Sequence, residues 1–387
     1  MDFLKRTWCE IDLNCLQYNI NLLQRIAKKE LMAVVKANAY GHGDRYVSQT
    51  LQEAGIRRFA VSNYNEAVGL RRYGITGSIL ILGYTPPECA DGLIEHNITQ
   101  TVHCLEYGRQ LSAHATKGKV LVHIKADTGM SRIGFPQNEH CDSSEEILKL
   151  TKLPNLQICG LFTHFACADS FQPDDEAYTR KQMQALDTLA AELRAHGVEL
   201  ECVHAQNSAG ITNYVNDGYN CARAGISMYG LNPSTDVKGD VPIRPLLSLK
   251  TTVAMVKTIP AGTQVCYGRT FTAPHEMQAA TLTIGYADGY YRDFSNKADV
   301  LIHGKRCRVL GRVCMDQIVV DATGVEVQMG DTATVIGVDG EECITADELA
   351  GISNTINYEI VCSISRRVPR VYYKNGKMID VLDDSVQ

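Results

Sequence analysis

The 387-residue chain has no long apolar run, no run of basic residues, no Cys-x-x-Cys pair, no internal repeat of fixed period and no low-complexity tract. Each absence removes a class of function. No stretch approaches the ~20 consecutive apolar residues that a membrane helix needs. Met1-Asp2-Phe3-Leu4-Lys5-Arg6 leads to no apolar signal core, so a cytoplasmic protein is expected. A formal net charge of -6, with no basic patch interleaved with aromatics, disfavours a nucleic-acid partner. Fourteen cysteines without Cys-x-x-Cys spacing signal neither zinc nor a thioredoxin-like motif, and no metal is expected. Cys159, Cys202, Cys221 and Cys362 sit in apolar runs, which reads as buried free thiols in a reducing compartment.

An apolar content of 45% and a charged content of 21% are ordinary for a globular protein, and 387 residues suffice for two domains or a large barrel with an addition. Glu10 to Lys28 reads as an amphipathic helix, with Leu13, Leu16, Ile20 and Leu23 near helical spacing. A rhythm then begins. Apolar, strand-like runs occur at Leu31–Val35, Arg58–Val61, Ser78–Leu82, Ile98–Val102, Val120–Lys125, Gln157–Phe162, Leu200–His204 and Asn220–Arg223. Helical patterns lie between most of them, clearest at Asp44–Ala54, Glu66–Tyr73, Ser144–Thr151 and Asp175–His196. Eight strands alternating with helices predict an α/β fold, a parallel (β/α)8 barrel rather than an open sheet. Composition changes after Asn232-Pro233-Ser234, where the polar stretch Thr235 to Asp240 gives way to strand patterns separated by turn sequences such as Pro260-Ala261-Gly262 and Asp339-Gly340. One helix interrupts them, announced by the capping box Thr345-Ala346-Asp347-Glu348. The expected division is a barrel over 1–240 and a mostly-β domain over 241–387, with residues 1–10 packing on the second.

Reactive groups of a (β/α)8 barrel lie at the C-terminal ends of its strands. Lys36 follows the first run, Lys125 ends the fifth, His164 follows the sixth, Asn207-Ser208 follows the seventh and Arg223 ends the eighth. Each alone has a bland reading as a cap, a loop residue or a surface ion pair; five on one rim do not. A lysine desolvated at a strand end loses basicity, and a neutral amine attacks carbonyl carbon. Arg223-Ala224-Gly225-Ile226 stands where barrels commonly bind phosphate, through loop amides and a short helix N-terminus.

Val34-Val35-Lys36-Ala37-Asn38-Ala39-Tyr40-Gly41-His42-Gly43 resembles the cofactor-lysine segment of the bacterial alanine racemases, which carry pyridoxal 5′-phosphate on that lysine. Asp127-Thr128-Gly129-Met130-Ser131-Arg132-Ile133-Gly134, Val265-Cys266-Tyr267-Gly268-Arg269-Thr270, Val313-Cys314-Met315-Asp316-Gln317 and Asn354-Thr355-Ile356-Asn357-Tyr358-Glu359 are similar to further segments of that family, in order, between Trp8 and Tyr373. The resemblance implies a barrel fold and the interconversion of L- and D-alanine for cell-wall precursors. It implies Lys36 as cofactor anchor and one of two bases. Tyr267 is the other base, reaching the site of a partner subunit in a homodimer. Tyr40, His164 and Asn207 are cofactor contacts on this reading, and Ser208, Tyr358 and the amides of Gly225 and Ile226 hold the phosphate. Arg223 faces the pyridine nitrogen. Arg132 and the Met315 amide hold the substrate carboxylate, Lys125 matches a position carbamylated in many members, and Tyr286, Asp169, Arg292, Arg312 and Asp316 support or line the entrance.

Two of these assignments carry their own chemistry. A guanidinium only donates, so Arg223 leaves the pyridine nitrogen unprotonated, weakening the ring as an electron sink and favouring fast reprotonation over transamination. A free phenol, with a pKa of about 10, is a poor base near neutrality and needs cationic neighbours, for which His164 and Arg223 are candidates. Two other readings share much of this sequence. A serine or broad-specificity racemase uses the same mechanism, although Tyr358 leaves less room for a hydroxyl than a smaller residue. A non-catalytic pyridoxal-phosphate carrier shares the barrel but lacks the β-domain.

Overall fold

The computed structural model describes residues 3–214, 218–234 and 241–383. The polar stretch 235–240, on which the expected domain boundary falls, lies outside the described residues. The chain forms two compact units. One comprises Leu16–Ala39 and Asp44–Arg244; the other gathers the N-terminal strand, Tyr40–Gly43 and the chain from Pro245 onward.

Eight strands form the closed ring of the first unit: Glu30–Val34, Arg58–Val61, Ser78–Ile81, Ile98–Val102, Val120–Asp127, Leu156–Phe162, Cys202–His204 and Cys221–Ala224. All their pairings are parallel, and the last strand closes the ring on the first, with Ala222 opposite Leu31 and Ala224 opposite Ala33. Side chains on both faces of the strands are excluded from water, which is why the runs read as continuously apolar rather than alternating. Helices follow the strands, including Ala90–Glu95 and Leu105–His114, whose short patterns are weak in the sequence. Helix Leu13–Ala27 buries Leu16, Ile20 and Leu23 completely, each contributing about 1.5–3 kcal/mol.

The helix expected from Glu10 begins later than that. Thr7–Asp12 is a strand, paired antiparallel with Leu247–Ile259 and parallel with Arg370–Lys374. Its side chains alternate, Cys9 and Ile11 inward, Glu10 outward to Lys250 at 2.7 Å. Partners so distant in sequence leave no local trace, so the helical period of Leu13 to Leu23 was extended too far back.

In this second unit Leu247–Ile259 is the central strand, paired also with Thr332–Asp339 and Met277–Leu282. Its buried positions recur with period two through Val253, one face to the core and one to solvent. Ile259, Val265, Ala273, Met277, Ala279 and Leu310 form a small core beneath the hairpin Gln264–Val265/Phe271–Thr272. Two helices interrupt the strands, not one: Ala346–Ile352 and Asn357–Ser363. Thr345 caps the first by accepting from the Glu348 amide at 3.0 Å, but the Glu348 carboxylate turns to Arg306 at 2.6 Å instead of completing a capping box. None of the fourteen cysteines forms a disulfide; Cys9, Cys202, Cys221 and Cys307 are buried, whereas Cys362, expected in the core, is exposed and Cys159 half-buried.

Candidate active site

Lys36 stands at the start of an unusual turn. Ala37, Asn38, Ala39 and Tyr40 all have φ between 52° and 54°, a single left-handed helical turn built without glycine. Each such residue costs about 1–2 kcal/mol. The turn is over-determined by its surroundings. The Glu66 carboxylate accepts from the amides of Ala37 at 2.8 Å and Ser62 at 2.7 Å, the Asn38 side chain accepts from the Asp44 amide at 3.0 Å, and the Ala39 amide donates to the Val35 carbonyl at 3.0 Å. Behind it, the buried Tyr229 hydroxyl donates to the Val34 carbonyl at 3.0 Å. Glu66 therefore shapes the lysine turn, a role no local motif announces. The glycines that follow are steric requirements: a Cβ at Gly41 would meet the Val361 carbonyl at 2.1 Å, and one at Gly43 the Tyr372 hydroxyl at 1.7 Å.

Arg223, nearly fully buried, is the hub of the barrel rim. Its guanidinium donates to the carbonyls of Thr163 at 2.9 Å, Ala205 at 2.8 Å and His204 at 3.2 Å. It also donates to two imidazoles, Nδ1 of His204 at 2.7 Å and Nδ1 of His164 at 3.1 Å. Because a guanidinium only donates, both Nδ1 atoms must accept, which puts the protons of His204 and His164 on Nε2. Nε2 of His204 lies 3.0 Å from Nδ1 of His123, so the proton of His123 is on its own Nε2. One donor thus fixes three tautomers. Burial, reinforced by Arg223, holds His204 well below the usual imidazole range; burial, then Arg58 and Arg223, pushes His123 down to about 3. Both stay neutral, and His204 stacks on Phe162 with ring centroids 4.7 Å apart. His123 and His204 escaped the sequence reading because a histidine in an apolar run reads as core.

Lys125 lies within the fifth strand, which runs on to Asp127, and is buried. Its ammonium donates to the Ala126 carbonyl at 2.6 Å; burial, then Arg223 and Arg132, against Asp127, push it down to about 7. Asp127 accepts from the amides of Gly129 at 3.1 Å and Ser131 at 2.9 Å, shaping the loop that presents the exposed Arg132. His164 is held well below its usual range, first by burial and then by Arg223, Arg132, Lys125 and Lys36. The four cations of the sequence motifs therefore converge on one imidazole.

Ser208 opens the helix Ser208–Asn213, capped by the Asn207 side chain, which accepts from the Gly210 amide at 2.9 Å. The Ser208 hydroxyl accepts from the amides of Gly225 at 3.0 Å and Ser227 at 3.3 Å. Those amides open the 3-10 turn Ile226–Tyr229, so backbone donors already converge on an oxygen at the end of the eighth strand. Asp169 accepts from the Ser234 hydroxyl through its carbonyl at 3.0 Å. This donor set, a hydroxyl, converging amides and four cations, fits a phosphorylated, carboxylate-carrying group.

In the β-rich unit Tyr40 and Tyr358 approach with ring centroids 6.0 Å apart, Tyr358 on helix Asn357–Ser363. Tyr267 and Met315 project from separate loops and are 71% and 52% exposed. Cys266, Tyr267, Cys314, Met315, Asp316 and Gln317 line one cavity of about 640 Å³. Asp316 is clamped by Arg367 at 2.5 Å, and Arg367 also holds the buried Asp288 at 2.7 Å. Tyr286 donates its amide to the Cys314 carbonyl at 3.0 Å, Arg292 opens the short turn Arg292–Phe294, and the Arg312 guanidinium lies against Gly268. The sequence candidates thus fall into two groups, one on the barrel rim and one on the β-rich unit.

The relationships to known proteins follow the same two parts. Residues 11–233 match the family model "Alanine racemase, N-terminal domain" and residues 246–372 "Alanine racemase, C-terminal domain". An alanine racemase of Clostridium perfringens is 43% identical over 99% of this chain and 100% of its own. The crystal structure of alanine racemase from Bacillus anthracis with bound L-Ala-P superposes with a TM-score of 0.92 at 37% identity, over 99% of both chains. A histidine racemase from Leuconostoc mesenteroides shares the architecture at a TM-score of 0.85 and 28% identity, over 96% of this chain and 99% of its own. Matched in both parts by sequence and nearly end to end by backbone, the chain belongs to the alanine racemase family of pyridoxal-phosphate-dependent isomerases.

Proposed function

We propose that the protein interconverts L- and D-alanine by two-base proton transfer, as a homodimer that binds pyridoxal 5′-phosphate on its barrel rim. The observation that carries this reading is the rim itself: Lys36, Lys125, Arg132 and Arg223 gathered around His164, beside the hydroxyl and amides of Ser208, Gly225 and Ser227. Bound cofactor supplies an electron-accepting ring that acidifies the α-proton of an amino acid joined to it. Lys36 would anchor the cofactor and, as a neutral amine, would serve one face of the substrate as a base. Ser208, Gly225 and Ile226 hold the phosphate, with Tyr358 as a further donor. Arg223 would donate to the cofactor's ring nitrogen without giving up its proton; the neutral imidazoles and carbonyls that orient it leave its charge in place. Arg132 and the Met315 amide fix the substrate carboxylate. Lys125, buried between Arg223, Asp127 and Arg132, supports Arg132 from behind.

Tyr267 serves the opposite face, delivered by the partner subunit. Its exposure, beside Met315 at the mouth of one cavity, is what a residue completing another subunit's site requires. Alanine is favoured as substrate by the bulk of Tyr358. A methylene or a hydroxyl is worth only ~1–3 kcal/mol of discrimination, and the histidine racemase named above carries the same architecture, so substrate choice is the finer half of the proposal. The test is racemisation with α-proton exchange in heavy water, L-alanine and L-serine measured separately with added pyridoxal phosphate. Fast alanine turnover supports the proposal, comparable serine turnover moves it to a broad racemase, and no exchange with either contradicts it.

A further inference from the structure

Tyr267 and Met315 are each preceded by a cysteine, and the two cysteines meet. Cys266 and Cys314 line the same cavity as the tyrosine and the methionine. The loops that carry them touch: a Cβ at Gly311, three residues before Cys314, would stand 2.6 Å from the Val265 carbonyl and 3.0 Å from Cys266 Cβ. Cys266 is held at φ 59° and ψ −172°, a conformation that ordinarily needs glycine, so its place in the loop is imposed by the packing around it. The Cys266 thiol neighbours the Cys314 sulfur, and the Cys314 thiol donates to the Arg312 carbonyl at 3.5 Å. Both side chains are half-buried, with the cavity as their path to solvent.

We propose that Cys266 and Cys314 are a reversible disulfide site, oxidised by small peroxides and placed so that closing the bond displaces Tyr267 and Met315. Cys314 sulfur attacks a peroxide oxygen and breaks the O–O bond, giving a sulfenic acid and one water. Cys266 sulfur then attacks Cys314 sulfur and expels the hydroxyl, which leaves as a second water with the Cys266 proton. The two thiols lose two hydrogens and the peroxide is reduced to water. Cys266 acts second because burial, then its neighbour Cys314, push it up to about 11, so it keeps its proton until the sulfenic acid is there to attack. The two sulfurs must close to ~2.05 Å, which draws the two loops together. A shift of about 1 Å in a reacting group costs on the order of 10²-fold in rate. Cys202 and Cys221 stand on paired strands, but both are buried and serve as an internal comparison.

The effect on turnover rests on the racemase reading; the bond itself does not. The holoenzyme is treated with hydrogen peroxide, and its peptides and alanine turnover are followed before and after dithiothreitol. The expected result is a peptide linking Cys266 to Cys314 and a loss of turnover of at least about 10-fold, restored by the reductant. Cys266→Ser forms no linked peptide, and its loss of activity, through further oxidation of Cys314, is not restored. Cys314→Ser, or Cys266→Ala should the serine variant fail to fold, tests the same pairing from the other side. Absence of the linked peptide while the exposed Cys141 and Cys343 are oxidised overturns the proposal. A linked peptide with unchanged turnover overturns its regulatory half. A linked peptide in a protein inactive even when reduced overturns the racemase reading and leaves the dithiol site standing.

Discussion

The barrel rim and the loops of the β-rich unit hold their functional residues in opposite ways. On the rim, Arg223 and Lys125 are buried, and Arg223 makes five hydrogen bonds to three carbonyls and two imidazoles. On the β-rich unit, Tyr267 and Met315 are largely exposed on loops, above a small core of six residues. The rim is a preorganised binding surface within one chain. The loops present groups outward, which on the proposed reading complete the site of another subunit. Preorganised donors act in a dry setting and lose little to reorganisation; exposed groups contribute only once docked.

Substitutions sharpen this contrast. Lys36→Ala removes both the anchor and one base, so racemisation falls by 10⁴-fold or more, roughly the upper bound for a single proton-transfer group; measurable turnover with α-proton exchange would contradict its role. Tyr267→Phe should cost on the order of 10²–10⁴-fold in racemisation while α-proton exchange of one enantiomer persists without inversion, because Lys36 still serves its own face. Equal loss of exchange from both enantiomers would argue against two bases. Arg223→Glu lets the ring nitrogen hold a proton; turnover should drop and pyruvate from alanine, the mark of transamination, should rise by about tenfold or more, read by a coupled reductase assay.

The smallest effect concerns stability. Unfolded, an imidazole takes up a proton near 6.5; folded, His123 does so only near 3 and His204 also below the ordinary range. Between those values the unfolded state binds more protons, so stability rises with pH up to about 6.5 and is lost as pH falls, by about 1.4 kcal/mol per unit for each imidazole. His123→Gln should remove that residue's share of the slope, seen in denaturant midpoints between about pH 5 and about pH 8. Identical slopes in wild type and variant would show that the pair is not held neutral.

Legibility in the sequence divides along the same line. The eight barrel strands were readable because each is a short apolar run with a helix after it, and the rim residues because a charged side chain at the end of such a run is conspicuous. Strand Thr7–Asp12 was not, since its partners lie at the other end of the chain. The left-handed turn after Lys36 leaves no sign in Ala37-Asn38-Ala39, which contains no glycine and depends on Glu66. His204 and His123 matter only through the guanidinium they receive, a three-dimensional fact. Tyr267 was legible through family resemblance alone; its local pattern is that of an ordinary strand tyrosine.

The central claim is that the two regions act across a subunit boundary, and mixing inactive variants tests it most directly. Lys36→Ala and Tyr267→Phe are unfolded together, refolded as a mixture with pyridoxal phosphate, and assayed for alanine racemisation. If Tyr267 serves the partner, each mixed dimer joins the intact lysine of one subunit to the intact tyrosine of the other, and activity returns to roughly a quarter of wild type. If Tyr267 acts on the barrel of its own chain, every site in the mixture lacks one base, and activity stays at the level of the separate variants.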